Sequence, residues 1–389
     1  MKRIDRPVPA ALAASAVALV CIASSVAEFN VGARILVVAA TALGGLVSVL
    51  GWLLGQADGP LRSAAARYAA AAAGAALAVL AGVMGSWQLL AVAVFGLGLG
   101  VAGLRTGRYE RPAAGTTGSW WVTFLGCGSA VLALRVLTAA GPEAGFAVAA
   151  LTFGAAAVLG RAAPAGSSFE PAESDPAGDS AAASNASADP APAWQPGPFG
   201  KPPRRVLGTV AVPVAHMGLA VVAAPTLSGA AWDGVSLAAP VTALLGGMAA
   251  PVGVWSLTRR AWGHGPTMML GGLIQLIALV ALTGAQQPDG ERLAIGLAGV
   301  GLGWAAVAVA GSGALRDFEP PTELAGTQAR TDAWAAGWMT AAAVLGSMAV
   351  AAVGFPFVAV PGLLFIGIIM VTVVWADVLT GLQARHRPR

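Results

Sequence analysis

Apolar residues run through this chain in long blocks, and short segments between the blocks hold most of the charge. Each block is roughly 20 residues long, enough to cross the hydrocarbon core of a bilayer as a helix. Twelve blocks predict twelve helices, at about 8–28, 33–55, 64–84, 87–104, 118–140, 143–160, 205–228, 233–257, 264–285, 292–314, 332–354 and 357–380. In hydrocarbon every backbone N–H and C=O needs a partner inside the protein, which leaves helices as the open-ended way to span. The predicted fold class is therefore all-α and integral to the membrane.

Composition sharpens this. The chain is 57% hydrophobic and 10% charged, against about 25% charged in soluble domains. Its 52 glycines suit close helix approach in lipid. The net charge of +4 does not point to nucleic acid, because its placement explains it. With the N-terminus inside, 19 of the 22 Lys and Arg fall in cytoplasmic segments, Arg34 and Arg292 fall outside, and Arg135 lies within a helix. That bias places both termini in the cytoplasm of a multi-pass protein of the inner, cytoplasmic membrane. Cys21 and Cys127 fall inside predicted helices and lack metal-site spacing. Lys2-Arg3 before an apolar run ending in Ser25-Val26-Ala27 has a signal-peptide look, but an even helix number favours a retained first span.

Two patterns recur. Leu104-Arg105, eight residues, then Ala114-Gly115-Thr116 matches Leu315-Arg316, eight residues, then Ala325-Gly326-Thr327. Gly44-Gly45 with Gly51 matches Gly246-Gly247 with Gly253, each pair following Thr-Ala-Leu at Thr41 and Thr242. Between the copies, residues 161–203 are rich in Ala, Pro, Ser, Gly, Asp and Glu, a composition that cannot offset the entropy of ordering. The expected organisation is a six-helix half at 1–160, a flexible cytoplasmic linker at 161–203 and a second half at 204–389. Six helices per half give both halves the same orientation, about an axis along the membrane normal. The Arg105 and Arg316 segments then occupy equivalent cytoplasmic loops.

At this point the chain resembles the major facilitator superfamily. The loop Gly51-Trp52-Leu53-Leu54-Gly55-Gln56-Ala57-Asp58-Gly59-Pro60-Leu61-Arg62 resembles that family's signature between helices 2 and 3, without its Asp-Arg-x-Gly core. Pro320-Pro321-Thr322-Glu323-Leu324-Ala325-Gly326-Thr327-Gln328 looks like its Pro-x-Glu-x-x-Gly-x-Ala loop after helix 10, and Glu110-Arg111-Pro112-Ala113-Ala114-Gly115 is the first-half counterpart. The Gly-Pro-x-x-Gly-Gly element of helix 5 is replaced by Gly126-Cys127-Gly128. The resemblance implies a divergent secondary transporter that moves a small organic solute by alternating access, with export preferred to uptake. A different class, a non-transporting scaffold or accessory subunit on the same fold, is the alternative, and it predicts an interior without a solvent-sized cavity.

No enzyme motif is present: there is no phosphate-binding loop ending in Lys-Ser/Thr, no His-Glu-x-x-His and no paired-cysteine site. The reading calls for no enzyme activity, cofactor, metal or nucleic acid, for lipid and solute as partners, and for a monomer. Candidate chemistry lies in polar groups at membrane depth, which are expensive there. Arg135 and Trp121 share a face of helix 5 and suit an anionic or zwitterionic group. His216 in helix 7, three residues after Pro213, and Gln275 in helix 9 complete the expected substrate contacts. Glu28 and His216 are the candidates for proton coupling. Asp58, Arg62, Arg105, Arg259, Arg260 and Arg316 are expected to form cytoplasmic gate contacts.

Overall fold

A computed structural model describes residues 7–26, 29–53, 64–106, 128, 140–158, 203–227, 237–283, 290–318 and 321–385. Every regular element among them is helical: α1 (Pro7–Val26), α2 (Val31–Leu53), α3 (Ala64–Met84), α4 (Trp87–Thr106), α5 (Ala140–Val158), α6 (Pro203–Leu227), α7 (Ala238–Ala249), α8 (Val252–Trp262), α9 (His264–Thr283), α10 (Gly290–Phe318), α11 (Pro321–Val353) and α12 (Ala359–Arg385). Among the described residues nine helical segments are long and apolar enough to cross a membrane. Ala13–Val26 and Trp87–Gly100 are shorter apolar helices. Of the fifth predicted helix only residues 128 and 140 are described, and the predicted linker lies outside the described residues except for Pro203, which opens α6.

The eighth predicted span is interrupted. Pro251 has no N–H to donate, so the helical ladder breaks at Ala250–Pro251, where α7 gives way to α8. Glycine sets two of the sharp corners. Gly85 at φ +61 ends α3; its N–H bonds Gly82 O at 3.1 Å and the Ser86 N–H reaches Ala81 O at 3.0 Å, the paired closure of a left-handed cap. Gly263 at φ +90 ends α8 and turns the chain directly into α9.

The Pro-x-Glu segment read as a loop is instead the start of α11. Pro321 opens that helix and Glu323 lies in its first turn, the positions that a missing N–H and the helix dipole favour.

Lipid gives no hydrophobic force between helices, so cohesion comes from how closely backbones approach. α4 packs between α2 and α3, and α10 packs between α7 and α9. In α4, Gly98 faces Thr41 O and Gly45 N of α2. In α10, Gly301 faces Leu244 O and Met248 N of α7, where a Cβ would stand 2.5 and 3.0 Å away. Reciprocally, Gly44 lies on Phe95 O and Gly247 on Ala298 O. Every pair in this set differs by 203 residues. The second glycine of each Gly-Leu-Gly points to the other neighbour: Gly100 meets Arg67 O and Ala71 N of α3, and Gly303 meets Gly271 O and Gln275 N of α9.

This packing register corrects two correspondences. Gly44 matches Gly247 rather than Gly246, which has nothing within 4 Å of its Cβ position. Leu104-Arg105 follows Gly100 by four residues, whereas Leu315-Arg316 follows Gly303 by twelve. Arg105 therefore corresponds to Ala308 in this register, about 12 Å along α10 from Arg316. Both arginines fall in helix rather than in loops, Arg105 in α4 and Arg316 in the last turn of α10.

α11 joins the two sets of helices. It packs on α6 along one side and on α2 along another. α1 reaches α7, and α12 covers α6 and α9.

Candidate functional site

Glu28, Asp58, Arg62, Trp121 and Arg135 lie outside the described residues, as does the side chain of Arg105. His216 and Gln275 are described, and both are buried, at 5% and 4% exposure.

His216 sits in mid-α6. Pro213 has no N–H for the carbonyl one turn before it, and His216 uses the next register: its Nδ1 lies 2.7 Å from Val212 O. The imidazole meets the Trp304 indole edge-on, with centroids 5.1 Å apart and planes at 86°. Gln275 projects from α9 against Gly303 of α10, where the missing side chain leaves room for its Cγ. Its Nε2 is buried with no hydrogen-bond partner, and the Trp304 Nε1 is in the same state. In the packing register Trp304 stands where the first repeat has Val101, and Gln275 where it has Ala71. The polar groups are thus an addition to one repeat only.

A small cavity of about 10 Å³ lies beside Gln275, lined by Gly218 and Val222 of α6, Leu279 of α9, Val300 of α10, and Gly362 and Ile366 of α12. That is room for one water. Two buried N–H groups without acceptors cost about 1–3 kcal/mol each. Each of these donors can take an acceptor such as a carbonyl, a carboxylate or water. Sequence reading passed over Trp304; the Gly-Leu-Gly that precedes it, matched by Gly98-Leu99-Gly100, is the signal that marks it.

A second polar cluster closes one end of the bundle. Arg259 of α8 crosses α10 over Gly313, whose Cβ would collide with the guanidinium, and its Nη1 lies 3.8 Å from Asp317 Oδ2. His264 opens α9 immediately after the Gly263 turn. Its Nε2 is 2.9 Å from the same carboxylate oxygen and its Nδ1 is 3.0 Å from Ala310 O. Both partners are acceptors, so either ring nitrogen has a place to donate a proton. Of the expected gate residues, the structure brings Arg259 into this cluster; Arg260 and Arg316 are exposed. Asp317 and His264 were not foreseen as gate residues, although Gly313 and Asp317 at i and i+4 share a face of α10.

Glu143 was also passed over. It lies in the first turn of α5 against Gly82 of α3, where a Cβ would stand 2.9 Å from Oε1. Two positions on, Gly145 packs on the thiol of Cys21 in α1. No group of three His, Cys, Asp or Glu side chains converges among the described residues.

The architecture defines a class: a multi-pass membrane protein, helical throughout its described residues, whose fold is shared with solved transporters. Two solved structures share it along nearly their whole length. The nucleoside transporter NupG, solved as a single-site mutant, superposes with a TM-score of 0.59 at 11% identity, over 96% of this chain and 99% of that one. An auto-inhibited peptide transporter of the POT family superposes at 0.55 and 12% identity, over 99% and 98%. The major-facilitator resemblance in the sequence thus holds at the level of fold. No family model matches the sequence, and no curated protein matches it.

Proposed function

We propose that this chain is a secondary active transporter built of twelve helices in two parallel six-helix halves. It moves a small organic solute across the cytoplasmic membrane by alternating access, with export the preferred direction and a proton the candidate coupling ion. The observation that carries the reading is the pair of acceptor-less donors, Gln275 Nε2 and Trp304 Nε1, inside a fold shared with nucleoside and peptide transporters. Buried unpaired donors are costly to keep, and a solute acceptor gives them a use. His216, held against Trp304, is the third member of the site. In this reading Arg135 and Trp121 supply the opposite wall, Glu28 and His216 carry the proton, and the Arg259–Asp317–His264 cluster closes the cytoplasmic side.

The cavity of about 10 Å³ beside Gln275 favours a second reading, a packed scaffold that transports nothing. One experiment separates the two. Gly218 lines that cavity, and a Cβ there meets only Phe365 Cβ, at 3.7 Å, so Gly218→Cys fits. In a background with Cys21 and Cys127 replaced, a membrane-impermeant thiol reagent is applied to oriented vesicles from each side. A transporter is expected to label from both sides, because the site opens to each in turn. Absence of labelling from both sides, in protein that elutes as a folded species, would leave the scaffold reading standing.

A further inference from the structure

An open groove of about 360 Å³ runs between α2 and α11, lined by Leu50 on one side and by Arg330, Ala333, Trp334, Gly337 and Trp338 on the other. Arg330, Trp334 and Trp338 are spaced four apart and form one stripe of α11. Ala333 and Gly337 are small and give the groove its depth. The two indoles stack, with centroids 6.3 Å apart and planes at 28°, and they stay 64% and 42% exposed. The groove does not close over. It runs into exposed apolar stripes on both helices, Leu43 and Val47 of α2 and Leu345 and Met348 of α11. In a membrane such surface is covered by acyl chains.

One end of the groove is different. The apolar span of α11 begins at Gly326, so Arg330 lies one turn inside it, about 6 Å along the axis. From there a guanidinium reaches the headgroup region. Its Nε donates to Gly326 O at 3.3 Å, and among the described residues it pairs with no carboxylate. Trp338 stands about 12 Å deeper. A cation at headgroup depth leading into a stacked-indole channel has the shape and polarity of one amphiphile.

We infer that the α2–α11 groove holds an anionic phospholipid of the surrounding bilayer, its phosphate on Arg330 and one acyl chain lying along Trp334 and Trp338 against Leu50. The inference rests on the chain being in a membrane and not on transport, so it stands or falls separately from the proposed function. The groove lies on the seam where α11 meets α2, and a bound lipid there would wedge the two helices.

The test uses full-length protein in vesicles that carry brominated lipids, which quench nearby indoles. The chain has 12 tryptophans, so the signal of this site is the difference between wild type and a Trp334→Phe/Trp338→Phe variant. That difference signal is expected to reach half-quenching at roughly fivefold less brominated phosphatidylglycerol than brominated phosphatidylcholine, the preference one basic residue near an anionic surface confers. Arg330→Gln is expected to abolish the preference and Arg330→Lys to keep most of it. Equal quenching by the two lipids in wild type would reduce the groove to an ordinary interfacial belt and overturn the inference. So would a preference that survives Arg330→Gln. The comparison of the two lipids needs only wild type and the Trp334→Phe/Trp338→Phe reference, which keeps an aromatic ring at both positions, so it decides even if an Arg330 variant fails to fold.

Discussion

Gly246 and Gly247 are neighbours in α7, indistinguishable by composition, yet they are expected to respond to alanine differently. A Cβ on Gly246 meets nothing within 4 Å. A Cβ on Gly247 would overlap Ala298 O and stand 3.0 Å from the carbonyl carbon and 3.1 Å from the Cα of that residue. All three atoms belong to the backbone of α10 and cannot swing aside. Ordinary carbon contacts lie near 3.5–4.0 Å, so α7 and α10 would have to part by about 1 Å over a stretch where Gly301 also lies backbone to backbone. Overpacking of this kind costs about 1–3 kcal/mol. Each substitution also gains about 1 kcal/mol of helix propensity. That gain is common to both and cancels in the comparison, leaving the overlap as the difference. Thermal unfolding in detergent, followed by loss of the monodisperse peak, is the assay. Gly246→Ala is expected to melt at or above wild type and Gly247→Ala below Gly246→Ala. The first repeat supplies a control, since Gly44→Ala is expected to behave as Gly247→Ala does. Equal melting of the two α7 variants, or the reverse order, would refute the packing register of 203 residues.

Gln275→Leu removes an amide whose Nε2 has no acceptor; it is expected to raise stability by about 1–3 kcal/mol while abolishing labelling-competent transport, and a lower melting temperature would show that the amide is already satisfied. Ser347 is fully buried with an unpartnered Oγ, so Ser347→Ala is expected to leave the melting temperature unchanged or raise it. Asp317 is 53% exposed, so Asp317→Asn is expected to cost less than about 1 kcal/mol of global stability. On the proposed gating it should nonetheless speed labelling of Gly218→Cys from the cytoplasmic side, and an unchanged rate would remove the cluster from the gate.

Helices at membrane length are legible in this sequence because lipid demands uninterrupted apolar runs, and that demand acts locally. Register between the repeats is not, because small residues are so frequent that Gly44 can be set against Gly246 or Gly247 with equal sense. Only the neighbour's carbonyl distinguishes them. The start of α11 was read as a loop for a related reason: Pro320 and Pro321 signal a break, and the role of Pro321 as a helix opener depends on where α10 stops. At the site, His216 and Gln275 were legible as rare polar groups in apolar surroundings. Trp304 was not, because indole passes as an ordinary membrane residue until its N–H is found without an acceptor. Asp317 and His264 were hidden by their place at helix ends, where charge is common. Their partnership needs the Gly263 corner and the gap at Gly313, and both are three-dimensional facts.

The distribution of close contacts bears on which parts can move. Within α2–α4–α3 and α7–α10–α9 the backbones touch through Gly44, Gly98, Gly100, Gly247, Gly301 and Gly303. Such contacts tolerate almost no sliding, because a small shift drives carbonyls into Cα atoms. α11, which belongs to neither triplet and packs on α2 and α6, meets the first triplet by a contact of another kind. On the α2–α11 seam, a Cβ on Gly337 would stand an ordinary 3.8 Å from Leu46 Cδ1, and the next turns splay into the groove at Leu50 and Trp334. Side-chain contacts of this sort can repack without parting backbones. Two glycine-locked triplets, with a side-chain seam where α11 meets the first of them, are what a rocking mechanism requires of a chain: stiffness within each body and compliance outside it. The same asymmetry gives the proposed rocking its sharpest exposure. Spin labels placed within a triplet, at exposed Val92 and Leu80, should report one narrow distance. Labels across the seam, at Leu43 and Leu345, should report a broad or two-peaked distribution. Breadth within the triplet as great as across the seam would mean that the close contacts do not define rigid bodies, and the mechanism would lose its structural basis.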